Sequence, residues 1–170
     1  KFIKIREPGC SKNSEKIIKL ILNNKSTFNR NTDLLLYLSA RSDNIELIRK
    51  NYGKKIILID RFVDSTIAYQ HYGMGVEIEF IKLVNNFLLK NININFTFLN
   101  LVSPKNMRNR LLKRKKLNRY DKFNNNFYKK VQNGFIKTLR KNPKKYMKIN
   151  SNLDIIENEK IIINKINKLI

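Results

Sequence analysis

Short apolar runs alternate along this chain with longer stretches in which apolar residues recur every three or four positions. Phe2-Ile3-Lys4-Ile5 reads as a strand, and so does Lys55-Ile56-Ile57-Leu58-Ile59-Asp60, which ends on a charge. Between them Ser14 to Leu22 has the helical period, with Ser14 the expected N-cap and Ile17, Ile18, Ile21 and Leu22 on one face. Thr32 to Lys50 predicts a longer helix with the stripe Leu34, Leu35, Leu38, Ile45 and Ile48. Val76 to Lys90 predicts another, with Phe80, Ile81, Val84 and Leu88 inward. Ile92 to Leu101 reads as a strand, and Pro104 to Lys115 as a helix with proline in its first turn. A helix over Asp121 to Arg140, a strand over Lys145 to Ile149 and a helix over Leu153 to Ile170 complete the chain. Strands separated by helices imply an α/β fold: three layers, α/β/α, around a mostly parallel central sheet.

Without internal repeats or a Gly/Ser/Pro linker, the 170 residues read as one domain. A hydrophobic share of 42% is enough for a packed core and argues against general disorder. No run approaches the ~18 apolar residues of a membrane span, so no membrane partner is expected. One cysteine, Cys10, excludes a disulfide framework and a multi-cysteine zinc site. The chain opens on Lys1, already in a strand-like run, with no hydrophobic signal region; the expectation is a cytoplasmic protein.

The net charge of +23 changes the picture less than its size suggests. The chain has 26 Lys, 26 Asn and 24 Ile, three types with A/T-rich codons, so a biased genome accounts for most of the scattered lysine. The ten arginines are the better probes.

In open α/β sheets ligands bind beyond the carboxyl ends of the strands. The first strand ends in Arg6-Glu7-Pro8-Gly9, where an arginine can grip phosphate bidentately; on this motif alone an ordinary strand-to-helix turn with a surface ion pair is the commoner explanation. The central strand ends in Asp60-Arg61-Phe62-Val63-Asp64-Ser65-Thr66-Ile67-Ala68-Tyr69-Gln70. Asp60 can hold Mg²⁺ and Arg61 can clamp a phosphate beside it. Thr66 and Gln70, four apart, share a helix face and can bond one planar group. The plain alternative is a short helix capped by Asp64 or Ser65. Tyr37 and Arg41, one turn apart, can meet a flat base, or be a core-edge Tyr and a solvated Arg. A basic cluster, Arg108, Arg110, Lys113, Arg114, Lys115 and Lys116, precedes Asn118-Arg119-Tyr120-Asp121. It suits a polyphosphate lid, a solvated face or a nucleic-acid patch. His71 is the only histidine and completes no catalytic or metal constellation.

Taken in order, Arg6-Glu7-Pro8-Gly9, Leu34-Leu35-Leu36-Tyr37-Leu38-Ser39-Ala40-Arg41, Asp60-Arg61-Phe62 with Ser65-Thr66-Ile67-Ala68-Tyr69-Gln70, and Asn118-Arg119-Tyr120-Asp121 resemble thymidylate kinase. The resemblance runs from residue 1 to about 150 and implies a P-loop nucleotide-kinase fold in one domain, 1–170, with a lid at about 108–121. It implies phosphorylation of dTMP by ATP with Mg²⁺, in a homodimer that needs no nucleic acid. Arg6 and Arg61 would hold the dTMP phosphate, Tyr37 would stack on thymine, and Arg41 would face the thymine carbonyls. Thr66 and Gln70 would select the base, with Ser65 beside them. Asp60 would position Mg²⁺ and Glu7 would lie near the transferring phosphoryl. Arg110, Arg114 and Lys116 would approach ATP, and Asn150 and Ser151 would sit near adenine.

The chain departs from the family pattern in three places. It carries no G-x-x-x-x-G-K-[ST] and only five Gly, so the first strand and phosphate loop, roughly 30 residues, are expected to be missing from it. Catalysis by these 170 residues alone is then in question. Cys10 stands where a second Gly is usual, and Met74 where an Arg often lies. The rival readings are another nucleoside or nucleotide kinase of this architecture, a basic nucleic-acid-binding module, and a non-catalytic protein that still binds dTMP.

Overall fold

Alternation of Ile3 and Ile5 with Lys4 and Arg6 gives strand β1, Phe2–Arg6, one face toward apolar neighbours. It pairs in parallel with β2, Ile56–Asp60, in a register that sets Ile5 beside Ile59 and Arg6 beside Asp60. A further bond, from the Glu7 N–H to the Asp60 carbonyl, extends this ladder by one residue at 2.9 Å. A parallel pair needs a crossover between its strands. Two helices supply it: α1, Lys12–Leu22, and α2, Arg30–Asn51. The computed structural model describes residues 1–170 and falls into two compact units, 1–93 with 118–136 and 94–117 with 137–170.

In the first unit β2 leads into a one-turn helix, α3, Val63–Thr66, and then a π-helical stretch, Ile67–Gly73. Helix α4, Ile78–Leu89, follows. Ile5, Ile45, Ile48 and Leu88 are buried together between β1, α2 and α4. Each such aliphatic side chain contributes about 1.5–3 kcal/mol when fully removed from water. A second cluster joins Ile18 and Ile21 of α1 to Ala68, Tyr120, and Phe127 and Val131 of α6, Asn125–Lys141. That helix closes on the π-helical stretch at Gly134, where a Cβ would lie 2.5 Å from the Tyr72 ring. The second unit holds another parallel pair, β3, Thr97–Leu101, with β4, Tyr146–Asn150, together with α5, Pro104–Leu112, and α7, Ile155–Asn167. Both strand pairs are parallel, as the alternation of strands and helices requires.

Several expected boundaries move, for local reasons. Ser11, not Ser14, caps α1: its hydroxyl accepts from the Ser14 N–H at 2.9 Å, and Ser14 returns a bond in a capping box. Asn29 caps α2, accepting from the N–H groups of Asn31 and Thr32, so that helix starts at Arg30. Neither Asp64 nor Ser65 caps the helix after β2; Phe62 holds the N-cap position without a side-chain bond. The strand expected from Ile92 starts only at Thr97. The Ile92 N–H bonds the Leu89 carbonyl, and the Asn93 N–H bonds the Tyr52 hydroxyl, so those residues serve a turn rather than a ladder. Leu35 and Phe80, expected inward, are 50% and 40% exposed.

Candidate functional site

The β1–β2 register is what gathers the first group of candidates. Arg6 and Asp60 lie side by side at the carboxyl ends, both exposed. Arg61 follows Asp60 with φ of 61°, and its guanidinium sits 5.3 Å from the centre of the Tyr69 ring. Desolvation lowers the pKa of that guanidinium, but the phenols of Tyr69 and Tyr37 and the Asp60 carboxylate raise it, and the net direction is up. Arg61 therefore stays a cation under every working condition.

Beyond β1 the chain turns sharply through Gly9 and Cys10. The Cys10 N–H donates to the Glu15 carboxylate at 3.0 Å, and a Cβ on Gly9 would stand 2.3 Å from the same carboxylate oxygen. Cys10 holds φ of 117°, a conformation natural to glycine, the residue usual at that place in the family the motifs resemble. Asn44 of α2, wholly buried, pins this turn. It donates to the Gly9 carbonyl at 2.8 Å and accepts from the Ser11 N–H and the Ser14 hydroxyl.

Arg41 is the hub of a buried polar cluster, only 2% exposed. Its Nε donates to Glu7 Oε2 at 2.7 Å, Nη1 to Asn85 Oδ1 at 2.7 Å and Nη2 to Thr66 Oγ1 at 2.9 Å. The guanidinium also lies 5.1 Å from the Phe62 ring centre. Burial pushes the Glu7 carboxyl above the ordinary carboxylate value, against the charge and hydrogen bond of Arg41, which lower it. Glu7 Oε1 and Asn85 Nδ2 are buried without a hydrogen-bond partner. One guanidinium thus fixes the residue after β1 and the first helix after β2. The solvated-arginine alternative fails because a charge so buried must be paired.

Tyr37 is partly buried and meets Tyr120 edge to face at 6.0 Å. Its hydroxyl is pushed up to about 12, mainly by burial. Thr66 and Gln70 are buried on one face, as their spacing requires, while Ser65 is half-buried. Gln70 Nε2 reaches the Tyr120 hydroxyl oxygen at 3.0 Å and Asp33 Oδ2 at 3.5 Å. Asp33, wholly buried, also accepts from the Tyr120 hydroxyl and pairs with the Arg119 guanidinium. Asn118 and Asp121 cap one another around this segment, and Arg119 Nε donates to the Ile21 carbonyl. The stretch Asn118–Asp121 is therefore tied to α1 and α2.

Within the second unit, Arg110 of α5 donates to the Ser151 carbonyl just beyond β4. The Asn150 side chain accepts from Asn152, whose own carbonyl oxygen accepts from the Ser103 N–H at 2.9 Å and the Asn106 amide at 3.0 Å. Arg114 and Lys116 lie exposed after α5.

Asp33, Asn44, Asn85 and Asn152 escape a reading by motif. Three of them left a signal: a polar residue inside the apolar stripe of a helix has to bond something. Among the described residues no three His, Cys, Asp or Glu side chains converge on a metal site. Asp60 alone, beside arginines, suits the mode in which Mg²⁺ keeps its waters and binds through one carboxylate and the substrate's phosphates. No helix is long and apolar enough to cross a membrane. A cavity of about 490 Å³ between α2 and α4, lined by Leu35 and Phe80, contains none of these candidates.

A family model for thymidylate kinase matches residues 1–162. A thymidylate kinase of Thermoanaerobacter sp. (strain X514) is 32% identical over 166 residues, covering 96% of this chain and 81% of the relative. One of Sulfurihydrogenibium sp. (strain YO3AOP1) is 34% identical over 167 residues, again covering 96% and 81%. The crystal structure of thymidylate kinase from Ehrlichia chaffeensis superposes with a TM-score of 0.74 at 26% identity, over 98% of this chain and 80% of that one.

Proposed function

This chain belongs to the thymidylate kinase family, whose reaction transfers the γ-phosphoryl of ATP to dTMP, and from that premise we propose how its residues hold the two nucleotides. Arg6 and Arg61 clamp the dTMP phosphate, Tyr37 stacks on thymine, and Gln70 and Thr66 meet its polar edge, with Ser65 beside them. Arg41 keeps one donor for a thymine carbonyl: of the five N–H groups of a guanidinium, those on Nε and Nη2 face Glu7 Oε2, a second on Nη2 bonds Thr66 and one on Nη1 bonds Asn85. Its larger role is to hold Glu7 and Thr66 in place.

What supports this most is the register that puts Arg6 against Asp60, with Arg61 next in line. Two cations and one carboxylate at adjacent strand ends suit an acceptor phosphate beside a Mg²⁺-bound donor. Phosphoryl transfer asks little covalent chemistry of a protein and much positioning and charge neutralisation. Bound Mg²⁺, held through Asp60, would offset charge on the ATP phosphates. Arg110, Arg114 and Lys116 serve the ATP side as part of a lid over about 108–121, and Asn150 and Ser151 lie by adenine. Residues 1–170 belong to one kinase domain that works in the cytoplasm, without nucleic acid.

Titration calorimetry with a panel of nucleoside monophosphates tests the acceptor site. The expected result is tighter binding of dTMP than of dGMP or dAMP. Preference for a purine nucleotide would overturn it.

The homodimer belongs to the same proposal. Phe80, Leu83 and Phe87 of α4 are exposed at helical spacing, and Leu35 of α2 lines the same concavity as Phe80. Exposed apolar side chains gathered in one patch mark an interaction surface. Placing Asp at both Leu83 and Phe87 is expected to convert a sedimenting dimer to monomer without unfolding it. A parent chain that sediments as a monomer would refute this face as the interface.

A further inference from the structure

An amide side chain can present either its oxygen or its nitrogen to a ligand, and the two ends recognise opposite partners. In this protein the choice is made behind Gln70. Asp33 is a buried carboxylate paired with the Arg119 guanidinium, and an ionised carboxylate only accepts hydrogen bonds. The Tyr120 hydroxyl therefore spends its one proton on Asp33 Oδ2, which leaves the phenol oxygen an acceptor. Gln70 meets that acceptor, and Asp33 Oδ2 beyond it, with Nε2. The amide oxygen is then turned the other way.

We propose that Asp33, acting through Tyr120, locks the Gln70 amide so that its oxygen faces the base, and that this selects a pyrimidine with an N–H at N3 and rejects cytosine. The proposal rests on the reading that Gln70 meets the base. Thymine and uracil carry a hydrogen at N3, which an amide oxygen accepts. Cytosine has a lone pair there, which the oxygen repels. A flipped amide would suit cytosine, but it would aim its oxygen at two acceptors in a dry site, where an unmade hydrogen bond is expensive. Burial, then the neighbouring Tyr37 and Asp33, hold the Tyr120 phenol far above its ordinary pKa, so its proton stays on. Asp33 and Tyr120 are positioning residues in this scheme: both act through Gln70.

The test is calorimetric affinity of the full chain for dTMP, dUMP and dCMP, in the parent and in Tyr120→Phe, Asp33→Asn and Gln70→Ala. The dTMP-to-dCMP affinity ratio is expected to fall by about tenfold in both Tyr120→Phe and Asp33→Asn, the worth of one oriented hydrogen bond. The dTMP-to-dUMP ratio is expected to stay within about twofold, because both bases offer the same N3 hydrogen. A general loss of structure weakens all three ligands together and leaves both ratios in place. Should Asp33→Asn fail to fold, Tyr120→Phe, which removes a single oxygen, carries the test. A dTMP-to-dCMP ratio unchanged in Tyr120→Phe, in a protein whose dTMP affinity does depend on Gln70, overturns the lock alone. Unchanged dTMP affinity in Gln70→Ala overturns the base-contact reading beneath it, and the lock with it.

Discussion

Arg61→Ala is expected to lose dTMP binding, with the dissociation constant raised by about a hundredfold or more. A phosphate held bidentately by a guanidinium loses two charge-assisted hydrogen bonds, each contributing about 1.5–3 kcal/mol, and tenfold in affinity corresponds to about 1.4 kcal/mol. The backbone complicates the choice of variant. Arg61 sits at φ of 61°, where alanine is strained and glycine is not. Arg61→Gly should therefore lose the same affinity while unfolding at a higher temperature than Arg61→Ala. Comparing the two by calorimetry and by thermal unfolding separates the phosphate contact from the strain. A folded Arg61→Gly protein that binds dTMP like the parent would show that Arg61 is not the clamp.

Replacing Arg41 should be the most damaging single change to the fold. Both partners of its ion pair with Glu7 are 3% exposed at the side chain. Arg41→Met fills the space but leaves a buried carboxylate alone, and breaking a buried pair in this way costs about 3–5 kcal/mol. The loss should depend on pH, in a direction set by Glu7. Burial already raises its pKa above 4.5, and the opposing effects come from Arg41. Without Arg41 the folded-state value climbs further. A carboxyl with a raised folded-state pKa stabilises the fold when protonated. Its contribution is complete below about pH 4.5 and is lost as pH rises through the folded-state value. Urea midpoints for Arg41→Met should therefore fall more steeply than the parent's from pH 4.5 upward. Adding Glu7→Gln should remove the extra slope. Parallel midpoint curves for the parent and Arg41→Met would refute the assignment of that slope to Glu7.

Most of the elements were legible in the chain because each is written in local chemistry. The stripe Leu34, Leu38, Ile45, Ile48 specifies α2 through its period, and all four are buried. The run Ile56 to Ile59 specifies a strand through its length and composition. Sequence pattern and structure differ at the helix ends, where one side chain chooses the cap. Ser11 and Ser14 both carry the hydroxyl a cap needs, and Ser11 takes the position by accepting from the Ser14 N–H. Leu35 and Phe80 lie on apolar stripes yet stay exposed, because a helical stripe predicts which face is apolar, not how much of it the rest of the chain covers.

The site divides in the same way. Its residue types and order, Arg6-Glu7, Tyr37, Arg41, Asp60-Arg61 and Thr66 to Gln70, stand in the sequence, and with them the family and its reaction. What those residues bond to came only with the tertiary structure. The sequence places Arg41 at a spacing that suits a base, and the tertiary structure adds that it ties Glu7, Asn85 and Thr66 together in the core. Asp33 and Tyr120, 87 positions apart, meet behind Gln70. Periodicity and motif are properties of neighbours along the chain and survive without a fold. A buried charge finds its partner across the core, at separations no local pattern encodes, and desolvation makes that pairing obligatory once the chain has closed around it.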